Sequence, residues 1–288
     1  MLILGVHVSQ KSHVLNDKTP KELSLAIQRD VGELGLNACQ IFTYGPRILV
    51  PNKLDVSKIK KVTHDINLSV HSAYPTTSVW KGLTQRKLTL FRNQLESCKA
   101  LNAWGMVLHI NKITPQVLAS TMAQLLPIAK EVGICILLEM VASKADPVLT
   151  YETPQKLDNM CNMINAQVDD TLQSWYGITI DTAHLWGAGV DITKYETVKA
   201  FLSEMKHNDK IMQFHLNGSS ADRHSGKDKH EIPFSKADLI WKDTAPEDAG
   251  VRAIVEFAYS KSICIICEIN RGDQKNVEHS IDLIKKYV

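Results

Sequence analysis

The sequence predicts an α/β protein of the (β/α)8 TIM-barrel class, folded as a single domain over residues 1–288. Short runs rich in Val, Ile and Leu alternate with longer segments of helical periodicity, and eight of each can be counted along the chain. The length of 288 residues suits one such barrel, because barrels typically need about 250 residues. A doubly wound open sheet is the alternative, but no glycine-rich phosphate-binding loop follows the first apolar run.

The predicted strands show little alternation of apolar and polar residues, which is typical of parallel strands buried on both faces. These strands cover residues 2–8, 38–43, 68–71, 106–109, 134–140, 178–181, 211–216 and 263–269. The predicted helices are amphipathic, and several begin with a Thr-Pro pair that places an N-cap before a proline in the first helical position. These helices cover residues 19–35, 56–67, 84–101, 114–133, 153–166, 196–207, 246–261 and 275–286.

The bulk composition is that of an ordinary globular protein. Hydrophobic residues make up 44% and charged residues 22% of the chain, and the formal net charge of +2 argues only weakly for a nucleic-acid partner. Six cysteines are scattered along the sequence. Cys264 and Cys267 lie three apart in a predicted strand and therefore point to opposite faces, which favours buried reduced thiols over chelation. With no signal peptide and no membrane-spanning run, a soluble intracellular protein is expected.

Ionisable residues end most of the predicted strands, on the side where barrel enzymes place their chemistry. They are His7, His71, His109, Glu139, Asp181, His215 and Glu268. A single histidine after an apolar run is more often a hydrogen-bonded core residue than a ligand. Six consecutive strands ending in His, Asp or Glu cannot be explained in the same way, because burying so many ionisable groups together is costly unless a cation neutralises them. Since the strand ends supply almost no Lys or Arg, bound metal is the better interpretation.

Two further spacings strengthen the metal hypothesis. In D-T-A-H, His184 follows Asp181 by three residues where a strand turns into a loop. In D-R-H, Asp222 and His224 lie two apart, on one side of an extended segment. The D-R-H triplet falls in the long non-helical stretch 217–244, and loops of that length are usually functional or disordered.

At this point the residues resemble the endonuclease IV family, also called AP endonuclease family 2. The matching motifs run the length of the chain: G-V-H-V-S at 5–9, F-T-Y-G-P-R at 42–47, H-S-A-Y at 71–74, L-L-E at 137–139, I-D-T-A-H at 180–184, H-L-N at 215–217, D-R-H at 222–224 and C-E at 267–268. The chain departs from the family pattern after His109, Glu139 and His224, and at Ala183 and Pro75. These changes leave every expected ligand position filled.

The resemblance implies three zinc ions, with Mn2+ as the alternative metal at one or more sites. It assigns the first ion to His71, His109 and Glu139. It assigns the second to Glu139, Asp181, His215 and Glu268. It assigns the third to His184, Asp222 and His224. By the same resemblance Glu139 and Glu268 are catalytic, His7 supports the metal shell, and Arg47 and Tyr74 contact DNA, although a solvated charge and a rim aromatic explain those two residues equally well.

The resemblance further implies an apurinic/apyrimidinic endonuclease of base excision repair. Such an enzyme hydrolyses the phosphodiester 5′ to an abasic site in double-stranded DNA and leaves a 3′-hydroxyl and a 5′-deoxyribose phosphate. A monomer without membrane association is expected. Two alternatives remain: a metal-dependent sugar isomerase or epimerase of the same barrel superfamily, and a non-catalytic protein that binds abasic DNA.

Overall fold

A computed structural model of the chain describes residues 1–8, 22–268 and 274–288. Eight parallel strands close a barrel, and a separate two-stranded ribbon lies in the loop after the seventh barrel strand. The strands are β1 Ile3–Val8, β2 Ala38–Phe42, β3 Asn67–His71, β4 Gly105–Ile110, β5 Cys135–Met140, β6 Tyr176–Asp181, β7 Ile211–His215, β8 Gly218–Ser219, β9 His230–Glu231 and β10 Cys264–Cys267. The predicted fold class is therefore confirmed.

Helices surround the barrel. They are α1 Leu23–Gly32, α2 Val56–Val62, α3 Gln85–Ala100, α4 Pro115–Val132, α5 Pro154–Asn165, α6 Asp170–Gln173, α7 Thr182–Ala188, α8 Tyr195–Glu204, α9 Gly250–Lys261 and α10 Gln274–Lys285. The hydroxyls of Thr114 and Thr153 accept hydrogen bonds from backbone N–H groups of the first turn, as the Thr-Pro pattern predicts. The corresponding Thr19-Pro20 pair lies outside the described residues.

The barrel strands follow the order β1-β10-β7-β6-β5-β4-β3-β2. In this order each neighbouring pair is parallel, so all carboxyl ends meet at one mouth. Residues two apart on a strand share a face, and the interior below the mouth is filled by small apolar groups such as Val107 and Leu137. A Cβ atom at Gly5 would collide with the Ala38 carbonyl, so the close approach of β1 and β2 requires glycine there.

Local structure at the mouth differs from the sequence prediction in two places. Asp181 is followed by helix α7 rather than by a loop, because its carboxylate accepts a hydrogen bond from the His184 backbone N–H at 2.9 Å and caps that helix. A 3-10 helix, Tyr74–Lys81, follows β3. The spacing of three residues in D-T-A-H is thus an N-cap spacing, which aims both side chains at the mouth.

The long loop after β7 is organised by one buried carboxylate, that of Asp238. It accepts hydrogen bonds from four backbone N–H groups, those of Ser219, Phe234, Ile240 and Trp241, at 2.9–3.3 Å. Together with the antiparallel pairing of β8 and β9, these bonds make the loop an ordered part of the barrel mouth.

The six cysteines are all buried and unpaired, which confirms the prediction of free thiols. Burial raises the pKa of the Cys39 thiol to about 12. Among the described residues, no helix is both long enough and apolar enough to cross a membrane.

Candidate metal centre

The ionisable strand ends meet at the mouth of the barrel as three overlapping groups. Within each group the potential ligand atoms lie within 4.8 Å of one another. The groups are His71, His109 and Glu139; Glu139, Asp181, His215 and Glu268; and Asp181, His184 and His230. Because Glu139 and Asp181 are each shared, the groups form one continuous cluster.

In the first group, two imidazoles face one carboxylate. The Nε2 atoms of His71 and His109 are 3.1 Å apart, and they lie 3.5 and 3.1 Å from Oε2 of Glu139. The Nδ1–H of His71 donates to the Ser72 carbonyl at 2.8 Å, which leaves the Nε2 lone pair pointing into the group. Oε2 of Glu139 is buried and has no hydrogen-bond partner among the described residues.

The shared group gathers both residues that the sequence analysis takes as catalytic, Glu139 and Glu268. Nδ1 of His215 lies 2.9 Å from Oε1 of Glu139, 3.3 Å from Oε2 of Glu268 and 3.7 Å from Oδ2 of Asp181. Asn217 fixes two of these residues, because its side-chain N–H donates to Asp181 at 2.8 Å and its side-chain oxygen accepts from the Glu268 backbone N–H at 2.7 Å.

The third group contains His230, to which the sequence analysis assigned no role, and Asp228, another such residue, lies against this group. The Asp228 carboxylate lies 3.5 Å from Nε2 of His184 and 2.8 Å from Nε2 of His230. Each imidazole places its Nδ1 against a backbone carbonyl, that of Met140 at 2.7 Å or Glu268 at 3.3 Å. Both Nε2 atoms therefore face the Asp228 carboxylate.

The structure does not bring Asp222 and His224 to this group. Both side chains are exposed, and the loop leaves the mouth at this point because the His224 N–H bonds to the Trp186 carbonyl at 3.0 Å. The intervening Arg223 pairs with Asp191 at 3.1 Å. The D-R-H triplet is thus an anchor of the loop on α7, and the next D-x-H triplet, Asp228-Lys229-His230, enters the mouth. That second triplet was readable in the sequence, since it repeats the same spacing six residues later.

The electrostatic potential in the mouth favours cations. Burial opposes protonation of His215, but the Glu268 and Glu139 carboxylates outweigh it and raise its pKa to about 9. Burial likewise opposes protonation of His230, and the carboxylates led by Asp181 raise its pKa to about 10. A potential that holds protons on imidazoles also attracts metal ions, which compete for the same lone pairs.

The donor set fits divalent metal ions. Every potential ligand is an imidazole nitrogen or a carboxylate oxygen, the pair of donors that zinc accepts. Oε2 of Glu139 has no hydrogen-bond donor among the described residues, although it faces two imidazoles whose Nε2 atoms lie close together. A positive ion at this point would supply the missing favourable contact. The carboxylates Glu139 and Asp181 are fully buried, and within the described part of the chain their ionic partners are histidines rather than lysine or arginine, so a cation is the natural counter-charge.

Three more predicted residues surround the cluster. His7 lies beside it, with Nδ1 3.5 Å from Oε1 of Glu268, but belongs to none of the three groups. The Tyr74 ring, 43% exposed, lies 5.6 and 5.4 Å from the rings of His71 and His109. Arg47 is exposed on the loop after β2, and this loop is tied to Tyr74 by the hydrogen bond from its N–H to the Pro46 carbonyl at 2.8 Å.

Comparison with known proteins places this geometry in a family. The profile of the xylose isomerase-like TIM barrel family matches residues 29–287. A probable AP endonuclease of African swine fever virus, isolate Tick/South Africa/Pretoriuskop Pr4/1996, is 24% identical over 255 residues, which is 85% of this chain and 82% of the relative. A probable endonuclease 4 of Thermosipho africanus (strain TCF52B) is 30% identical over 227 residues, covering 71% and 76% of the two chains.

A solved structure agrees in fold. The crystal structure of AsfvAP:AG superposes with a TM-score of 0.83 at 22% identity and covers 99% of this chain and 98% of its own. The family profile spans most of the chain, and the Thermosipho relative reaches 30% identity over more than two thirds of both proteins. The chain therefore belongs to the endonuclease IV family of xylose isomerase-like TIM barrels.

Proposed function

We propose that this protein is a zinc-dependent AP endonuclease that hydrolyses the phosphodiester 5′ to abasic sites in DNA, in base excision repair. Family membership makes it a metal-dependent hydrolase of the endonuclease class. The observation that carries the proposal is the cluster itself, in which imidazole nitrogens and carboxylate oxygens converge from β3, β4, β5, β6 and β7 at the barrel mouth. Such a donor set suits zinc, with Mn2+ as the alternative at one or more sites.

Each of three ions would have its own ligands. His71, His109 and Glu139 would hold the first, and Glu139 would share the second with Asp181, His215 and Glu268. For the third, we propose His184, Asp228 and His230 in place of the set with Asp222 and His224. Oε2 of Glu139 faces His109 at 3.1 Å while Oε1 faces His215 at 2.9 Å, so one carboxylate can serve two ions.

When bound, zinc polarises a phosphodiester and lowers the pKa of water enough to supply a nucleophile at neutral pH. The chain's own residues orient the reactants. Glu268 is held from both sides, at its backbone by Asn217 and at Oε1 by the Gln40 amide at 2.7 Å, so its other oxygen faces the shared group, where it would orient a bound water. We propose products with a 3′-hydroxyl and a 5′-deoxyribose phosphate.

The rim supplies the proposed DNA contacts. Tyr74 presents an exposed aromatic face beside the first group, and Arg47 is an exposed cation on the loop hydrogen-bonded to it. An abasic nucleotide lacks a paired base, so rotating it out of the duplex toward this mouth costs little unstacking and unpairing free energy. We propose that Arg47 and Tyr74 occupy the gap or stack beside it, and that the protein acts as a monomer with residues 1–288 as one domain.

A duplex with one tetrahydrofuran abasic analogue tests the proposal. Tetrahydrofuran blocks β-elimination, so a nick with a 3′-hydroxyl, made by the wild type and not by Glu139→Gln, establishes hydrolysis at the cluster. Glu131→Gln is the matched control, because Glu131 is an exposed carboxylate paired with Arg92 outside the mouth. Binding without a nick, in protein that contains metal, would point to a damage-binding protein. Neither binding nor a nick would make a sugar isomerase or epimerase the leading hypothesis.

A further inference from the structure

One buried amide lies directly beneath the candidate metal centre. Gln40 is on β2, where the strand register sets it opposite His7 of β1 and Ser69 of β3. The side chain has no exposure to solvent. Because a buried amide needs partners for two N–H groups and one oxygen, its contacts show what it orients.

The nitrogen of this amide controls Glu268. Nε2 of Gln40 donates to Oε1 of Glu268 at 2.7 Å and lies 3.0 Å from Nδ1 of His7, which accepts its second hydrogen. One oxygen of Glu268 is thereby occupied. The other, Oε2, remains 3.3 Å from Nδ1 of His215, at the shared group.

The oxygen of the same amide controls His215. Oε1 of Gln40 lies 3.0 Å from Nε2 of His215 and 2.8 Å from Nε2 of Gln213. The amide cannot be reversed, because its oxygen would then face the Glu268 carboxylate. Nε2 of Gln213 also lies 2.8 Å from Nε2 of His215, so two amides contact this edge of the ring while Nδ1 faces Glu139 at 2.9 Å.

We propose that Gln40 is a positioning residue that fixes the Glu268 carboxylate and the His215 ring together, and so determines metal affinity at the shared group. The inference rests on the proposed metal centre. A single side chain from β2 contacts one residue on β7 and one at the end of β10, so it fixes the two relative to each other. Partners of this kind, which orient ligands without touching the metal, typically change metal affinity by about 10- to 100-fold.

Two isosteric substitutions separate the two contacts. Gln40→Met keeps the volume and removes both hydrogen-bonding arms. Gln40→Glu keeps an acceptor for His215 and removes the donor to Glu268. Thr179→Val is the matched control, since Thr179 is also fully buried in the barrel wall, in register with Glu139, and its hydroxyl has no hydrogen-bond partner among the described residues.

The first measurement is a titration of metal-free protein with Zn2+ against a chromophoric chelator. Wild type and Thr179→Val should bind zinc alike, and both Gln40 variants should lose roughly 10- to 100-fold in affinity for one ion. The second is the 15N–1H NMR spectrum of the His215 ring in metal-free protein. The ring shifts should be unchanged in Thr179→Val and should move in Gln40→Met, which lacks the oxygen that contacts Nε2.

Two results would overturn the inference: zinc affinity in both Gln40 variants equal to that of the wild type, or a His215 ring spectrum in Gln40→Met identical to that of the wild type. Should Gln40→Met lose its native circular dichroism, the titration of Gln40→Glu decides alone. A wild type that binds no zinc and makes no nick would instead refute the proposed function. A wild type that binds zinc and nicks, beside Gln40 variants that bind zinc equally well, would refute only the role of Gln40.

Discussion

The choice between two D-x-H triplets in the loop after β7 can be tested by one pair of alanine substitutions. His230 is 12% exposed in its side chain, with Nε2 2.8 Å from Asp228 and 3.6 Å from Asp181, whereas His224 is exposed and outside the cluster. We expect His230→Ala to lose one bound ion and most of the nicking rate. We expect His224→Ala to retain both.

The magnitude follows from what each side chain contacts. His230 supplies one of the imidazoles of the third group, and removing a group that stabilises charge developing in the transition state costs about 2.7–4 kcal/mol, or roughly 100- to 1,000-fold in kcat. His224 contributes its backbone N–H to the Trp186 carbonyl, and alanine retains that bond. A surface change of this kind shifts stability by about 0.5 kcal/mol or less.

The assay is steady-state nicking of the tetrahydrofuran duplex, with the metal content of each variant measured by mass spectrometry. A loss of kcat with unchanged KM is expected for His230→Ala, because the lost interaction belongs to the transition state. Asp228→Asn and Asp222→Asn form a second matched pair. Asp228→Asn should lose activity as His230→Ala does, and Asp222→Asn should retain activity as His224→Ala does.

The opposite pattern would refute this reasoning. If His224→Ala lost an ion and His230→Ala did not, the loop would have to enter the mouth at the first triplet, contrary to the contact between His230 and Asp228. Equal activity of both variants would show that the third group takes no part in the reaction.

Three further predictions concern stability. Asp238→Ala should destabilise the protein by at least about 3 kcal/mol in urea unfolding, because four backbone N–H groups lose their acceptor and each such loss costs roughly 1–3 kcal/mol; a loss below 1 kcal/mol would contradict it. Burial opposes ionisation of Glu256, but hydrogen bonds from Tyr195 and Arg252 lower its pKa below 4.5. The stabilisation that ionised Glu256 provides is thus present above pH 4.5 and is lost as the pH falls through the folded-state pKa. The difference in unfolding free energy between wild type and Glu256→Gln should therefore vanish in acid, and a difference that grew in acid would refute this reasoning. Removing metal with a chelator should lower the melting temperature, since each ion at 100 times its Kd contributes about 2.7 kcal/mol; a calorimetric scan unchanged by chelation would argue against the centre.

The order of barrel elements was predictable because periodicity reports burial directly. The predicted strands 134–140 and 178–181 fall on β5 and β6, whose residues are buried throughout. The convergence of residues at their ends, such as Glu139 and Asp181, follows from the same pattern, since parallel strands bring all their carboxyl ends to one mouth. Helix α7 was missed because a seven-residue helix is too short for periodicity to reveal.

The loop after β7 was not predictable to the residue. Both triplets have identical spacing, and the choice between them depends on where the chain bends. That bend is set by bonds to distant elements, such as the His224 N–H with Trp186 of α7 and the ribbon pairing of Ser219 with His230. Gln40 was missed for a similar reason, because a lone glutamine in an apolar run carries no signal of the partners it meets.

By itself, the sequence determined a barrel and seven of the ionisable residues that meet at its mouth, because apolar runs and the residues that end them are local features. Only the tertiary structure decided which D-x-H pair reaches the mouth and which buried amide contacts the shared group. These choices depend on contacts between residues far apart in the chain, such as Gln40 with Glu268, that no local pattern encodes.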